Sequence, residues 1–323
     1  MTTTAVNNFD FSQLGIGALL QRHRLKVPPY QRDYAWTSAE VSAYLQDITL
    51  SIQTDAPQYF LGTVVTIKRG NDELEVVDGQ QRLATTALIF SAMRILAGDS
   101  NANLNKLLSN YLSSIDTSTL SEETQISLNL ADSEVFKSLV VTGKSGTSFI
   151  KTRDSHVLLV EAFEIAKAHL QSIMKTVSQT DWVKIFQQWV EFFSHKAIVI
   201  LLRVADDASA FTMFETLNDR GLSVSQADLI KNYVFSESGD NIKLVQQHWT
   251  AIKSTLETID DGDNAINFIW HALIATGGYV EQKKIYDRVK TKIKGKNSSV
   301  TELSNWEKLS KYYVGIFNPT RVC

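Results

Sequence analysis

Residues 59–97 change their period once, and that change limits the fold more than any other feature. Residues 59–68, YFLGTVVTIK, are rich in β-branched side chains and predict a strand. Arg69-Gly70-Asn71-Asp72 predicts a turn, and residues 74–77 the return strand of a hairpin. From Gln81 onward Leu83, Leu88, Ile89, Met93 and Leu96 follow helical spacing, with Gly98 as the stop. Asp78-Gly79-Gln80-Gln81-Arg82 stands between the two periods. Residues 197–204, AIVILLRV, form a nearly continuous apolar run of strand length, which predicts a buried strand. The fold class expected is α+β: a small mixed sheet in the N-terminal part, then a mostly helical region.

Three of the four prolines precede residue 58, which leaves the remainder open to helix. Residues 11–20 read as a short amphipathic segment, and 25–27 as a brief strand stopped by Pro28-Pro29. A capping box at 37–40 opens a helix with Val41, Tyr44, Leu45 and Ile48 on its apolar face. Residues 99–150, rich in Ser, Thr and Asn, predict a helix over 103–115 and a weak strand near 126–130. Further helices are expected over 154–174, 181–193, 208–217, from Ala227 on, and over 241–259, 264–275, 282–293 and 306–317, with a basic loop at 290–296.

A length of 323 residues suggests two domains. The net charge of −3 means that any DNA contact must come from a local basic patch. Cys323 is the one cysteine, so neither an intrachain disulfide nor a cysteine-based zinc site is available, which fits a reducing cytoplasm. The first ten residues are polar and no 18-residue apolar run occurs, so neither signal peptide nor membrane span is expected.

Several motifs can be weighed for chemistry. Thr142-Gly143-Lys144-Ser145 contains the GKS of a phosphate-binding loop, but Ser138 stands where that loop needs glycine, and a surface loop is the better account. The six histidines show no metal-ligand spacing and read as structural or surface residues. Residues 78–82 differ. A strand, a glycine and a helix start bring unpaired N–H groups and the positive end of the helix dipole to one point, an anion site. Arg82 adds a forked cation, Gln80 and Gln81 add amides, and Asp78 can hold magnesium or orient a water. The same residues could also form a plain turn with a surface ion pair. Tyr30-Gln31-Arg32, flanked by Tyr34 and Trp36, offers stacking and a guanidinium, although such aromatics are more often core. Asp228, Lys231 and Asn232 share one helix face, either solvated or lining a site.

Taken together, PPYQRDYAW, VVDGQQRLATT and NDRGLSVSQADLIKN resemble the signature blocks of a bacterial phage-defence family. That family includes GmrSD-type modification-dependent restriction enzymes and SspE-like phosphorothioate sensors. The likeness continues more weakly through FIWHALIATGGYVEQKKIYDRVK and YYVGIFNP. It implies a ParB/sulfiredoxin-like N-terminal domain over 1–235, with a helical insertion at about 99–195, and a helical domain over 236–323. It further implies nucleoside triphosphate binding and hydrolysis, GTP among the candidate nucleotides, coupled to recognition of modified DNA and control of its cleavage. By position, Asp78 and Arg82 match as catalytic residues and Gly79, Gln80, Gln81, Gln31 and Arg32 as nucleotide-binding residues. Tyr30, Trp36, Asn218, Asp228, Lys231 and Asn232 are candidates for the pocket or for DNA sensing, with Gly221 also in the third block. Mg2+ held at Asp78 is the expected cofactor; modified DNA and the nucleotide are the expected partners, with a homo-oligomer left open.

Fuller members carry a C-terminal HNH nuclease that is not recognisable in this sequence, so the chain is expected to be the N-terminal portion of a longer protein or else to act without cutting DNA itself. The alternative to nucleotide hydrolysis is a non-enzymatic module whose anion site holds a DNA backbone phosphate. A third is a protein-interaction scaffold with a degenerate pocket.

Overall fold

A computed structural model describes residues 10–28, 31–69, 73–115, 120–143, 153–204, 226–259 and 264–317. The chain forms two compact units, residues 1–210 and 211–323. In the first, β1 (Asp10–Gly15), α1 (Ile16–Arg22), β2 (Arg24–Lys26), α2 (Ser38–Gln53), β3 (Tyr59–Arg69), β4 (Glu73–Asp78) and α3 (Gln80–Ala97) come in order. There follow α4 (Ala102–Ser109), β5 (Ser113–Ile115), β6 (Glu122–Thr124), β7 (Ile126–Ser127), α5 (Ser133–Thr142), α6 (Asp154–Met174), α7 (Gln179–Glu191), a π-helical turn at Phe192–Lys196 and β8 (Ala197–Val204).

Six strands make one mixed sheet in the order β1-β8-β3-β4-β2-β7. The expected hairpin is present as the antiparallel pair β3 and β4, and β8 lies between β1 and β3, parallel to β3. The expected buried strand is therefore central, and Ala197, Val199 and Leu201 are fully enclosed. The α+β class is as the sequence predicts.

Helix α3 is the centre of the first unit. Leu83, Leu88, Ile89, Phe90 and Met93 are all inaccessible, as are the polar Thr85, Thr86 and Ser91. A helix apolar nearly all round belongs inside. Phe90 stacks on Tyr111 with centroids 4.6 Å apart and meets Phe193 edge-on at 5.4 Å. Helix α2 starts at its expected box, with the Thr37 N–H donating to the Glu40 carboxylate at 2.6 Å. Two hydroxyl bonds, Tyr34 to Thr85 at 2.8 Å and Tyr44 to Thr86 at 2.9 Å, pin the segment around α2 to α3.

The short amphipathic segment divides into an edge strand over residues 10–15, paired antiparallel with β8, and helix α1. Two local expectations are corrected. The helix expected over 103–115 ends at Ser109, and 113–115 pair with β6. The last helix begins at Lys296, well before Trp306. The helix expected over 208–217 lies outside the described residues.

The second unit holds α8 (Gln226–Ser236), α9 (Ile242–Leu256), α10 (Asn264–Gly277), α11 (Ile285–Lys292) and α12 (Lys296–Phe317). Trp306, Leu303, Phe268, Ile285, Val289 and Ile293 form its interior. The sequence divides the chain at 235/236 and the compact units divide at 210/211, so α8 sits with the second unit. No described helix is long and apolar enough to cross a membrane.

Candidate anion site at the start of helix α3

Strand β4 ends at Asp78 and α3 begins at Gln80, with Gly79 between them at φ 94° and ψ 3°. This left-handed conformation suits glycine, and a Cβ there would stand 2.9 Å from the Val64 Cγ2. The chain can therefore turn from sheet to helix directly against β3. No side chain caps α3. Helix geometry leaves the N–H groups of Gln80, Gln81 and Arg82 without intrahelical acceptors, while the Leu83 N–H bonds the Gly79 carbonyl at 3.1 Å.

Asp78 retains about a third of its side-chain exposure, and its Oδ2 lies 3.8 Å from the Arg82 Nη2. Burial of the remainder raises its pKa, opposed by Arg82, by the Gly79 N–H and by Arg32. Arg82 is engaged with the sheet. Its Nη1 donates to the Leu61 carbonyl and its Nη2 to the Thr63 carbonyl, the latter at 2.7 Å. The register of β3 against β8 shifts between Phe60 and Thr63, and Gly62 has φ 96°. The guanidinium thus fills a β-bulge and satisfies carbonyls beside it. A Cβ on Gly62 would come within 2.5 Å of the Arg82 Nη1.

The two glutamines bind the aromatic block. Gln81 Oε1 accepts from the N–H of Ala35 at 2.9 Å and of Trp36 at 3.3 Å, and its Nε2 donates to the Asp33 carbonyl at 3.2 Å. Gln80 Nε2 donates to the Arg32 carbonyl at 3.1 Å. Both side chains are buried. Gln31 is buried as well, yet its Nε2 and the Gln80 Oε1 have no hydrogen-bond partner among the described residues. Arg32 is exposed, and its guanidinium has no ion pair among the described residues. Trp36 is half-buried and meets Tyr44 edge-on at 5.5 Å, while Tyr34 is core.

Two residues that the sequence does not single out close the loop from its other side. Asn129 Nδ2 donates to the Gln31 carbonyl at 3.1 Å and to Asp33 Oδ1 at 2.9 Å. Asp132 accepts from the Tyr34 N–H at 2.7 Å and from the Ser155 hydroxyl at 2.6 Å. Burial raises the Asp132 pKa, with the Ser155 hydroxyl and the Tyr34 N–H opposing. Arg153 reaches Asp33 at 3.7 Å. Local sequence carried one signal for these residues: an Asn and an Asp three apart, next to a short strand.

The structure thus brings Gln31, Arg32, Trp36, Asp78, Gly79, Gln80, Gln81 and Arg82 into one region. Tyr30, Asn218 and Gly221 lie outside the described residues. Asp228, Lys231 and Asn232 fall on α8; Lys231 is half-buried, and the other two side chains lie outside the description. Gly143 of the GKS segment ends α5 in the left-handed region at φ 63°, an ordinary helix stop. No group of three metal-ligating side chains occurs among the described residues.

An α+β protein with an uncapped helix start behind a strand–glycine turn, buttressed by paired glutamines, is the class that fold and site define. The sequence matches the GmrSD restriction endonuclease, N-terminal domain family over residues 16–235. That match spans most of the chain, and the protein belongs to this family. Membership places it in restriction-type anti-phage defence, with DNA as the partner class. No individually curated protein matches the chain.

Proposed function

We propose that this chain is the nucleoside-triphosphate-binding and hydrolysing sensor part of a cytoplasmic defence protein that recognises modified DNA, such as phosphorothioate linkages or modified bases, and controls its nicking or cleavage. The observation that carries this proposal is the uncapped start of α3 beside exposed Arg32 and the unpartnered buried amide atoms of Gln31 and Gln80. Each such orphaned group costs about 1–3 kcal/mol, a penalty that a polar ligand relieves. The N–H groups of Gln80, Gln81 and Arg82, with the Arg32 guanidinium, bind phosphate oxygens. Gln31 supplies a donor and Gln80 an acceptor, which suits the edge of a base or a sugar. Asp78 orients the attacking water, and Arg82 holds Asp78 and the β3 bulge in place.

The donor set fits magnesium in one particular way. Asp78 offers a single, partly exposed carboxylate, which suits an ion that keeps its waters and takes its other ligands from phosphates. Bound there, it would neutralise phosphate charge. Tyr30, Trp36, Asn218, Asp228, Lys231 and Asn232 remain the proposed DNA-sensing residues.

The test is phosphate release from each nucleoside triphosphate, with and without modified DNA, by the wild type and by Arg32→Ala. Turnover by the wild type that is lost in the variant supports the proposal; a wild-type chain that binds no nucleotide overturns it. A second function is favoured by the engagement of both Arg82 amino groups with β3 carbonyls, which leaves Arg32 as the exposed guanidinium of the seam. In that case the site holds a DNA backbone phosphate without hydrolysis. Binding of modified DNA with no phosphate release selects it.

A further inference from the structure

Residues 282–296, QKKIYDRVKTKIKGK, carry seven cations against the single Asp287, a net charge of +6 in a chain whose total is −3. The rest of the protein therefore carries −9. Such asymmetry is the footprint of a polyanion site when the cations are displayed together on structure. Here they are displayed on a short, rigid frame. Ile285, Val289 and Ile293 are wholly buried and fix the segment to the second unit. Tyr233 donates to the Ile293 carbonyl at 2.7 Å and ties the segment to α8. Lys283, Lys284, Arg288, Lys290, Lys294 and Lys296 are exposed, and only Lys292, paired with Glu302 at 2.8 Å, is drawn in.

A run of cations is usually a solvated face, and neutralisation by nearby acids would make it so. Neutralisation is partial. Glu281 serves both Lys283 and Lys284, at 3.1 and 3.9 Å, and Asp240 serves Lys296 at 3.4 Å. Arg288 and Lys294 have no ion pair among the described residues; Arg288 donates to the Gly277 carbonyl instead. Lys290 lies over the Tyr286 ring at 5.0 Å, an arrangement that orders the ammonium.

We infer that this basic strip is a second binding site, distinct from the α3 seam, and that it takes the phosphate backbone of duplex DNA. It supplies sequence-independent affinity and register, while base or linkage recognition is left to other residues. The inference rests on DNA being a partner and not on nucleotide binding, so the two can fail separately.

The experiment is a fluorescence anisotropy titration of the whole chain against a short labelled duplex, from about 50 to 200 mM salt. The strip variant is Lys283→Gln/Lys284→Gln/Lys294→Gln, three exposed positions. A charge-matched control, Lys137→Gln/Lys175→Gln/Lys184→Gln, alters exposed lysines of the first unit. A thermal melt checks that both fold. The strip variant is expected to weaken binding and to flatten the slope of log affinity against log salt by about one unit for each phosphate no longer neutralised. The control is expected to leave both unchanged, and nucleotide turnover is expected to survive in the strip variant. Wild-type chain that binds no duplex, an unchanged slope in the strip variant, or an equal loss in the control each overturns the inference.

Discussion

The side-chain carbonyl of Gln81 lies 2.9 Å from the backbone N–H of Ala35, and the same side chain also serves Trp36 and Asp33. One buried glutamine thus satisfies three backbone groups of the aromatic loop. Gln81→Ala is expected to lower the stability of the first unit by at least about 1–3 kcal/mol, the cost of one orphaned buried group. Urea unfolding followed by tryptophan fluorescence measures it. An unchanged midpoint would show that the loop is held by something else.

Arg82 is expected to be needed for the fold as well as for the anion site. Arg82→Ala removes its bonds to the Leu61 and Thr63 carbonyls, and Arg82→Lys cannot span both with one ammonium. Both variants should unfold at lower denaturant than the wild type, whereas Arg32→Ala should change only ligand affinity. If Arg82→Lys matches the wild type in midpoint, the bulge does not depend on the fork.

At Gly79, alanine meets two obstacles: a positive φ and a Cβ 2.9 Å from Val64. Strain of about 1–3 kcal/mol is expected. Because the same residue sets the direction of the first N–H groups of α3, nucleotide affinity should fall with stability. Calorimetric titration of Gly79→Ala at a temperature where it stays folded separates the two effects. Wild-type affinity there would mean that the helix start does not hold the phosphate.

Burial raises the folded pKa of Asp132 above its unfolded value of about 3.9. Above that unfolded value and up through the raised one, the folded chain holds more protons than the unfolded chain. The contribution of Asp132 to stability therefore declines as pH rises through this window. Asp132→Asn removes that slope while keeping an oxygen for the Tyr34 N–H. Unfolding free energies measured from about pH 4 upward should show variant minus wild type increasing with pH and then levelling off. A flat difference would remove Asp132 as the source.

The hairpin, the glycine seam and α3 were legible because each is announced locally, by β-branched residues, by Asp-Gly and by a change of period. Errors arose where tertiary packing overrides local pattern. The amphipathic spacing of Phe11, Leu14 and Leu19 left the type of element open, and Phe11 is exposed on an edge strand held by β8. Past Ser109 the apolar spacing runs on through Tyr111 and Leu112, but the chain turns there to pair with β6. The start of α12 was hidden because its buried stripe is Ser299, Leu303, Trp306, Ser310 and Val314, and its first member is a serine. The roles of the DGQQR residues were only partly readable. Sequence showed a guanidinium at a helix start, but not that Gly62 opens a bulge for it to fill. Asn129 and Asp132 showed only their spacing beside a short strand, because their partners lie far away along the chain.

The distance along the chain has a consequence for biogenesis. The bonds that fix the aromatic loop span 45 to 48 residues on the Gln80 and Gln81 side and 96 to 98 on the Asn129 and Asp132 side. Closing such long loops is slow, because chain entropy is spent before any native bond rewards it. During synthesis the loop leaves the ribosome early; its bonds to Gln80 and Gln81 become available first, and those to Asn129 and Asp132 only about 50 residues later. The proposed anion site is therefore completed late, and a nascent chain that stalls before residue 132 carries the DGQQR motif without the second half of its support.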